Sequence, residues 1–148
     1  MTQPAKPSSA PAWDRRTEIT EAMIERLIRR FYDTVRRDPE LGPIFDKAIG
    51  DDWEPHLRKM FDFWSSVMLT TGRYKGQPVP VHQRIDSLRP ELFEVWLMHF
   101  RQTAEEVCPP DAARLFIERA ERIARSLTMT LFFRLDGFRT TAPREYAQ

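Results

Sequence analysis

Apolar residues that return every third or fourth position constrain this chain more than any other feature. Ile24, Leu27, Ile28, Phe31 and Val35 make one such stripe, and Ala113, Ile117, Ala120, Ala124, Leu127 and Leu131 make another. That spacing lines one face of an α-helix, and no segment shows the strict alternation of a half-buried strand. The chain is expected to be all-α. Its punctuation sets the expected boundaries. Thr20 is an N-cap with Glu21 in the first turn, and Asp38-Pro39 ends the first long helix. Pro39 to Phe45 is expected to form one short turn. Asp51-Asp52 caps the second long pattern, Pro55 is tolerated in its first turn, and Gly72 closes it. Gly76, Pro78 and Pro80 make Arg73 to Pro80 a loop, followed by a short helix around Val81 to Ser87. Pro90 opens a third long helix running to about Cys108. Pro109-Pro110-Asp111 breaks the chain, and the last helix runs from about Ala112 to Leu135.

A length of 148 residues predicts one domain. At that size folding buries roughly 68–70% of the unfolded surface, which leaves room for a core and a cofactor-sized pocket. The Pro-, Ser- and Ala-rich start predicts a flexible tail over 1–15, a folded domain over 16–137 and a second tail over 138–148. A net charge of +1 gives no reason to expect nucleic acid. The one cysteine, Cys108, fits a reducing compartment. No apolar run is long enough to span a membrane, and the N-terminus lacks the apolar core of a secretion signal, so a cytoplasmic location is expected.

His82 stands apart from these stripes. It follows Gly76-Gln77-Pro78-Val79-Pro80-Val81, between two long amphipathic patterns, where a proline-braced imidazole suits an axial metal ligand. Tyr32 lies at the margin of the first stripe. His56 shares an apolar face with Met60, Phe63 and Val67. A satisfied core histidine is one reading of His56, and a residue facing a cavity is the other. Trp96 sits mid-stripe among Leu92, Phe93, Phe100, Thr103 and Val107, where it packs or donates its indole N–H. His99 is expected to mark the edge of that stripe. One ligand, two ring donors and a second imidazole on four segments suggest a haem pocket. Phe45, Met60, Phe63, Trp64 and Phe93 would form its apolar slot, and Lys59 and Arg84 would meet the propionates. The chain has no HExxH, CxxC, di-iron Glu/His repeat or glycine-rich phosphate loop. The arginines at 26, 29, 30, 36 and 37 alternate with Glu25, Asp33 and Asp38, as on a solvated helix face.

With these residues in view, the chain resembles the third group of the truncated haemoglobins. The resemblance runs from about Ile19 to Phe133. It rests on Phe31-Tyr32, on Asp38-Pro39-Glu40-Leu41-Gly42-Pro43-Ile44-Phe45 and on Trp53-Glu54-Pro55-His56. It continues through Phe63-Trp64, Tyr74-Lys75-Gly76-Gln77-Pro78, His82 and Phe93-Glu94-Val95-Trp96-Leu97. The Gly-Gly pairs of the other two groups are absent. The resemblance implies a globin-like, truncated two-over-two helical sandwich around haem b. It places His82 as proximal iron ligand, Tyr32, Trp96 and His56 on the distal side, Phe45 against the porphyrin and Lys59 near a propionate. It departs from the family at both tails.

The expected function is binding of dioxygen and related diatomic ligands such as CO and NO. Two donors facing a partly negative ligand slow its release, which suits NO-dioxygenase or peroxidase-like chemistry with a separate reductase better than bulk transport. Two other classes stay open. One is a bis-histidine haem sensor or electron-transfer protein using His56 and His82. The other is a cofactor-free all-α interaction module in which every ring is core.

Overall fold

The computed structural model describes residues 18–85 and 87–133. The expected tails over 1–15 and 138–148, and the domain limits at 16 and 137, lie outside the described residues. Six α-helices and a final π-helical stretch make up the described fold, and no strand occurs among these residues.

Helix α1, Glu21–Arg37, begins as its sequence predicts: the Thr20 hydroxyl accepts the Met23 N–H at 3.2 Å. Glu21 at its start and Arg36 and Arg37 at its end complement the helix dipole. It buries Ile24, Leu27, Ile28, Phe31, Tyr32 and Val35. Tyr32, expected at the stripe's margin, is only 6% exposed.

Helix α2, Leu41–Ile49, is longer than the single turn expected. Asp38 supplies the reason. One carboxylate oxygen accepts the N–H groups of Glu40 and Leu41, at 2.7 and 2.9 Å, and so caps a helix whose start carries no cap of its own. Gly50, at φ +89°, ends it.

Helix α3, Glu54–Leu69, starts later than the Asp51-Asp52 pair predicts and has no side-chain cap. Packing fixes its start instead. Trp53 is buried against Tyr32 and Phe45, with the Arg36 guanidinium 4.4 Å over its ring, and Pro55 pre-sets the first turn. The helix also stops before Gly72. Thr70 adopts the left-handed conformation at φ 54°, and its N–H closes on the Ser66 carbonyl. A polar cluster anchors the turn that follows. Buried Ser65 donates to Glu21 at 2.8 Å and lies 3.0 Å from the Thr71 hydroxyl. Arg73 reaches Ser65, Glu21 and Asp62, and Tyr74 N–H donates to the Ser66 hydroxyl.

Helix α4, Pro78–Gln83, begins where a loop was expected. Pro78 and Pro80 both fall in its first turn, where a missing N–H leaves no intrahelical bond unmade. Helix α5, Pro90–Val107, keeps its expected start, and helix α6, Pro110–Thr128, begins two residues before the expected Ala112, with Pro110 in its first turn. Beyond α6 the winding widens to a π-helix over Met129–Phe133, and the rest of the expected helix, to Leu135, is outside the described residues.

Helix α1 packs on α3, α5 packs on α6, and the two pairs meet where α1 crosses α5. The rings of Phe31, Trp96, Phe100 and Trp64 fill that crossing. Phe31 is edge-on to Phe100 at 5.2 Å, and Trp64 stacks on Phe100 at 5.0 Å. Each fully buried ring of this kind contributes about 1.5–3 kcal/mol. Small residues on α6, Ala113, Ala120 and Ala124, allow close approach of the helices. No helix among the described residues is long and apolar enough to cross a membrane.

Candidate functional site

The two helix pairs do not close on each other everywhere. Between them is a cavity of about 420 Å³, within the range of small-molecule and cofactor pockets. Ile44, Phe45 and Ile49 of α2 form one wall. Met60, Phe63 and Trp64 of α3 and Phe93 of α5 form others, and Leu127 of α6 closes one end.

Ten of the eleven residues expected at the site line this one cavity: Tyr32, Phe45, His56, Lys59, Met60, Phe63, Trp64, His82, Phe93 and Trp96. Arg84 does not. It is exposed at the C-terminal end of α4, outside the cavity wall. Lys59 is exposed at the rim.

His82 is held by its own short helix. Its Nδ1 lies 2.7 Å from the Pro78 carbonyl oxygen. A carbonyl can only accept, so Nδ1 carries the proton and Nε2 keeps its lone pair. Pro78 therefore fixes both the tautomer and the tilt of the ring, as a second-shell partner does for a metal-binding histidine. Phe93 packs beside it, with ring centroids 6.2 Å apart. Among the described residues no group of three or more His, Cys, Asp or Glu side chains could hold a metal ion. A metal meeting His82 would bring its other donors with a macrocycle.

The opposite side of the cavity is polar only at ring tips. Tyr32 is edge-on to Phe45 at 5.7 Å and to His56 at 5.2 Å. Burial pushes its phenol pKa well above the ordinary value, so the hydroxyl stays a neutral donor. His56 is not a satisfied core histidine: its Nε2 is buried and has no hydrogen-bond partner among the described residues. Burial, with a smaller contribution from the Lys59 charge, lowers its pKa to about 4, so the imidazole is neutral at pH 7. Trp96 stacks on Phe100 at 5.5 Å and meets Phe31 edge-on, presenting part of its indole to the cavity.

Four residues at or behind the cavity wall were not singled out from the sequence. Tyr74 lines the cavity from the loop before α4, edge-on to Phe63 at 5.1 Å. Leu41 and Ile44 join from α2, whose full length was not anticipated. Trp53 packs behind His56 at 5.8 Å, and its indole N–H is also without a partner among the described residues. An aromatic residue three positions before a histidine on an apolar helix face was the available signal. His99, expected at a stripe's edge, is instead mostly buried, with Nε2 2.7 Å from Asp38.

No protein-family model matches the chain. A curated relative does: the chain is 34% identical over 117 residues to the group 3 truncated hemoglobin ctb of Campylobacter jejuni, spanning 77% of this chain and 92% of that one. The crystal structure of the group III truncated hemoglobin from Campylobacter jejuni superposes with a TM-score of 0.74 over 78% of this chain and 93% of its own, at 34% identity.

Proposed function

This chain belongs to the group 3 truncated haemoglobins, and on that premise we propose that it holds haem b against His82 and binds dioxygen and related diatomic ligands. The observation that carries this reading is the His82–Pro78 hydrogen bond, which leaves Nε2 as a free donor on a residue of the cavity wall. Bound haem would supply a ferrous iron with a coordination position open to a diatomic gas. The residues do the rest. His82 anchors one side. Phe45, Met60, Phe63 and Phe93 exclude water and grip a flat apolar face. Lys59 at the rim suits a propionate, whereas Arg84 has no cavity contact in its support. Tyr32 O–H and Trp96 N–H, on residues of the cavity wall, would donate to a ligand that carries partial negative charge. In an apolar cavity such bonds are stronger than in water, and they favour dioxygen over carbon monoxide. Slow release of dioxygen in turn suits NO dioxygenation or peroxide turnover, with electrons from a separate reductase.

A second reading has an observation of its own. His56 lines the same cavity as His82, is neutral, and has an unpartnered Nε2, so it could provide a second imidazole ligand. The absorbance spectrum of the purified, reduced protein separates the two readings. A five-coordinate ferrous spectrum is expected. Sharp visible bands without added ligand would establish bis-histidine ligation, and absence of a Soret band after reconstitution would defeat both readings. His82→Gly should lose the five-coordinate spectrum and regain it with added imidazole; a normal spectrum without imidazole would remove His82 from the ligand role.

A further inference from the structure

Beside His56 on α3, three helices bring side chains to the distal side of the cavity: Tyr32 on α1, Phe45 on α2 and Trp96 on α5. One polar contact joins all three helices. The Asp38 side chain follows the last turn of α1, and one of its oxygens caps the start of α2 through the N–H groups of Glu40 and Leu41. Its other oxygen is 2.7 Å from Nε2 of His99, which stands one turn beyond Trp96 on α5. The two side chains are 11% and 13% exposed. The exposed ion pairs of this chain, such as Arg29–Glu54 and Arg30–Glu106, are about half exposed at both ends and contribute little. Asp38–His99 is different in kind. It is shielded from water, and His99 Nδ1 is buried with no partner among the described residues, so the imidazole makes its one polar contact with Asp38. Burial alone would push the Asp38 carboxyl up, yet His99 and the two backbone donors together hold it below its ordinary value.

We propose that the Asp38–His99 hydrogen bond is the positioning contact of the distal wall, tying α1 and α2 to α5 so that Tyr32, Phe45 and Trp96 keep their places around a bound ligand. Neither residue lines the cavity. Both act through the side chains that do. The inference rests on the ligand-binding reading above for its gas readout, and on the chain itself for its second readout. A mispositioned wall differs from a missing donor. Loss of one donor changes dioxygen release selectively, because carbon monoxide is less polar when bound. A loosened wall changes the escape of both gases alike.

Two variants test this. His99→Phe keeps a ring of similar size and removes the N–H. His99→Gln keeps an N–H at about the reach of Nε2. In the haem-loaded protein, His99→Phe should speed release of dioxygen and carbon monoxide together, by about three- to tenfold. In the purified chain with or without haem, it should also shift the Trp96 indole N–H signal in a nitrogen-15 spectrum, assigned with Trp96→Phe. His99→Gln should return the rates and the signal towards the wild type. A folded His99→Phe variant with wild-type rates and an unmoved Trp96 signal overturns the proposal. So does a His99→Gln variant that behaves like His99→Phe, because ring shape rather than hydrogen bonding would then set the wall. If His99→Phe does not fold, His99→Gln decides alone: wild-type rates and signal support the proposal, and altered ones refute it. Should the wild-type chain take up no haem, the ligand-binding reading fails on that result, and the Trp96 signal still decides the positioning role.

Discussion

Replacing Tyr32 by Phe should push stability and ligand retention in opposite directions. The ring itself is well packed, edge-on to Phe31 at 4.9 Å, to His56 at 5.2 Å and to Phe45 at 5.7 Å, and Phe keeps all three contacts. The hydroxyl makes no hydrogen bond among the described residues although the side chain is 6% exposed. The hydroxyl is open to the cavity rather than sealed in packed protein, so its incomplete hydration costs about 1 kcal/mol, the low end for an unpaired hydroxyl. Removing it should stabilise the haem-free chain by about 1 kcal/mol, a rise in melting temperature of roughly 2–4 °C for a chain of this size. The holo-protein should show the reverse in function. A hydrogen bond to a charged acceptor contributes about 1.5–3 kcal/mol, so dioxygen should leave about 10- to 150-fold faster, and carbon monoxide release should change less. Thermal melts of the haem-free chain and stopped-flow release of both gases measure the two effects. A melting temperature several degrees lower would show that the hydroxyl has a protein partner. Unchanged dioxygen release would show that it does not face the ligand.

Two further outcomes follow from the described geometry. His56 has a folded-state pKa of about 4, below its ordinary 6.5, so the unfolded chain binds the extra proton first. Stability should be complete above about pH 6.5 and fall progressively to about pH 4, and His56→Leu should flatten that part of a urea-midpoint profile; an equal slope in the variant would show that other groups set it. Gly42→Ala would place a Cβ 2.5 Å from the Arg36 carbonyl oxygen, against backbone that cannot turn aside. Overpacking of this kind costs about 1–3 kcal/mol, so the melting temperature should drop by roughly 2–12 °C, and an unchanged value would mean that the α1–α2 corner yields freely.

The helices were legible because their stripes are long, and the main breaks were legible because proline is unambiguous. Pro90 and Pro110 stand where two helices begin. Local signals failed where tertiary contacts outweighed them. Asp51 and Asp52 have the chemistry of an N-cap, yet Trp53 packing against Tyr32 and Phe45 starts α3 two positions after Asp52. Gly72 resembles a helix stop, yet Ser65, Glu21 and Arg73 hold the chain in a turn that begins at Thr70. At the site, positions on a stripe were readable and partners were not. His82 could be singled out as a candidate ligand from its isolation, whereas its tautomer depends on a carbonyl that only the folded α4 presents. Spacing put His99 at an edge because nothing in α5 reveals that Asp38, 61 residues earlier, will cover it. Gly42 was legible as part of a motif; its physical reason is the Arg36 carbonyl against which it packs.

The polar atoms of the distal side argue for the nature of the ligand. Tyr32, His56 and Trp53 are drawn together by ring contacts of 5.2 to 5.9 Å, and the buried His56 Nε2 and Trp53 Nε1 have no hydrogen-bond partner among the described residues. Each such atom weakens the folded state, and an all-carbon ring of the same shape would remove the cost without disturbing the packing. Asp38 gathers three donors on one carboxylate, although its partner His99 keeps an unpartnered Nδ1. On the cavity wall, His56 is held the other way, its Nε2 left to meet something small, polar and neutral enough to enter a mostly apolar space. A diatomic gas that becomes polar on binding meets both conditions. A large charged substrate meets neither, because it would have to shed its hydration against walls such as Ile44, Phe45 and Met60 that return no hydrogen bond. The Tyr32 hydroxyl, which costs the haem-free fold about 1 kcal/mol, would more than recover that cost in a hydrogen bond of about 1.5–3 kcal/mol to a charged acceptor.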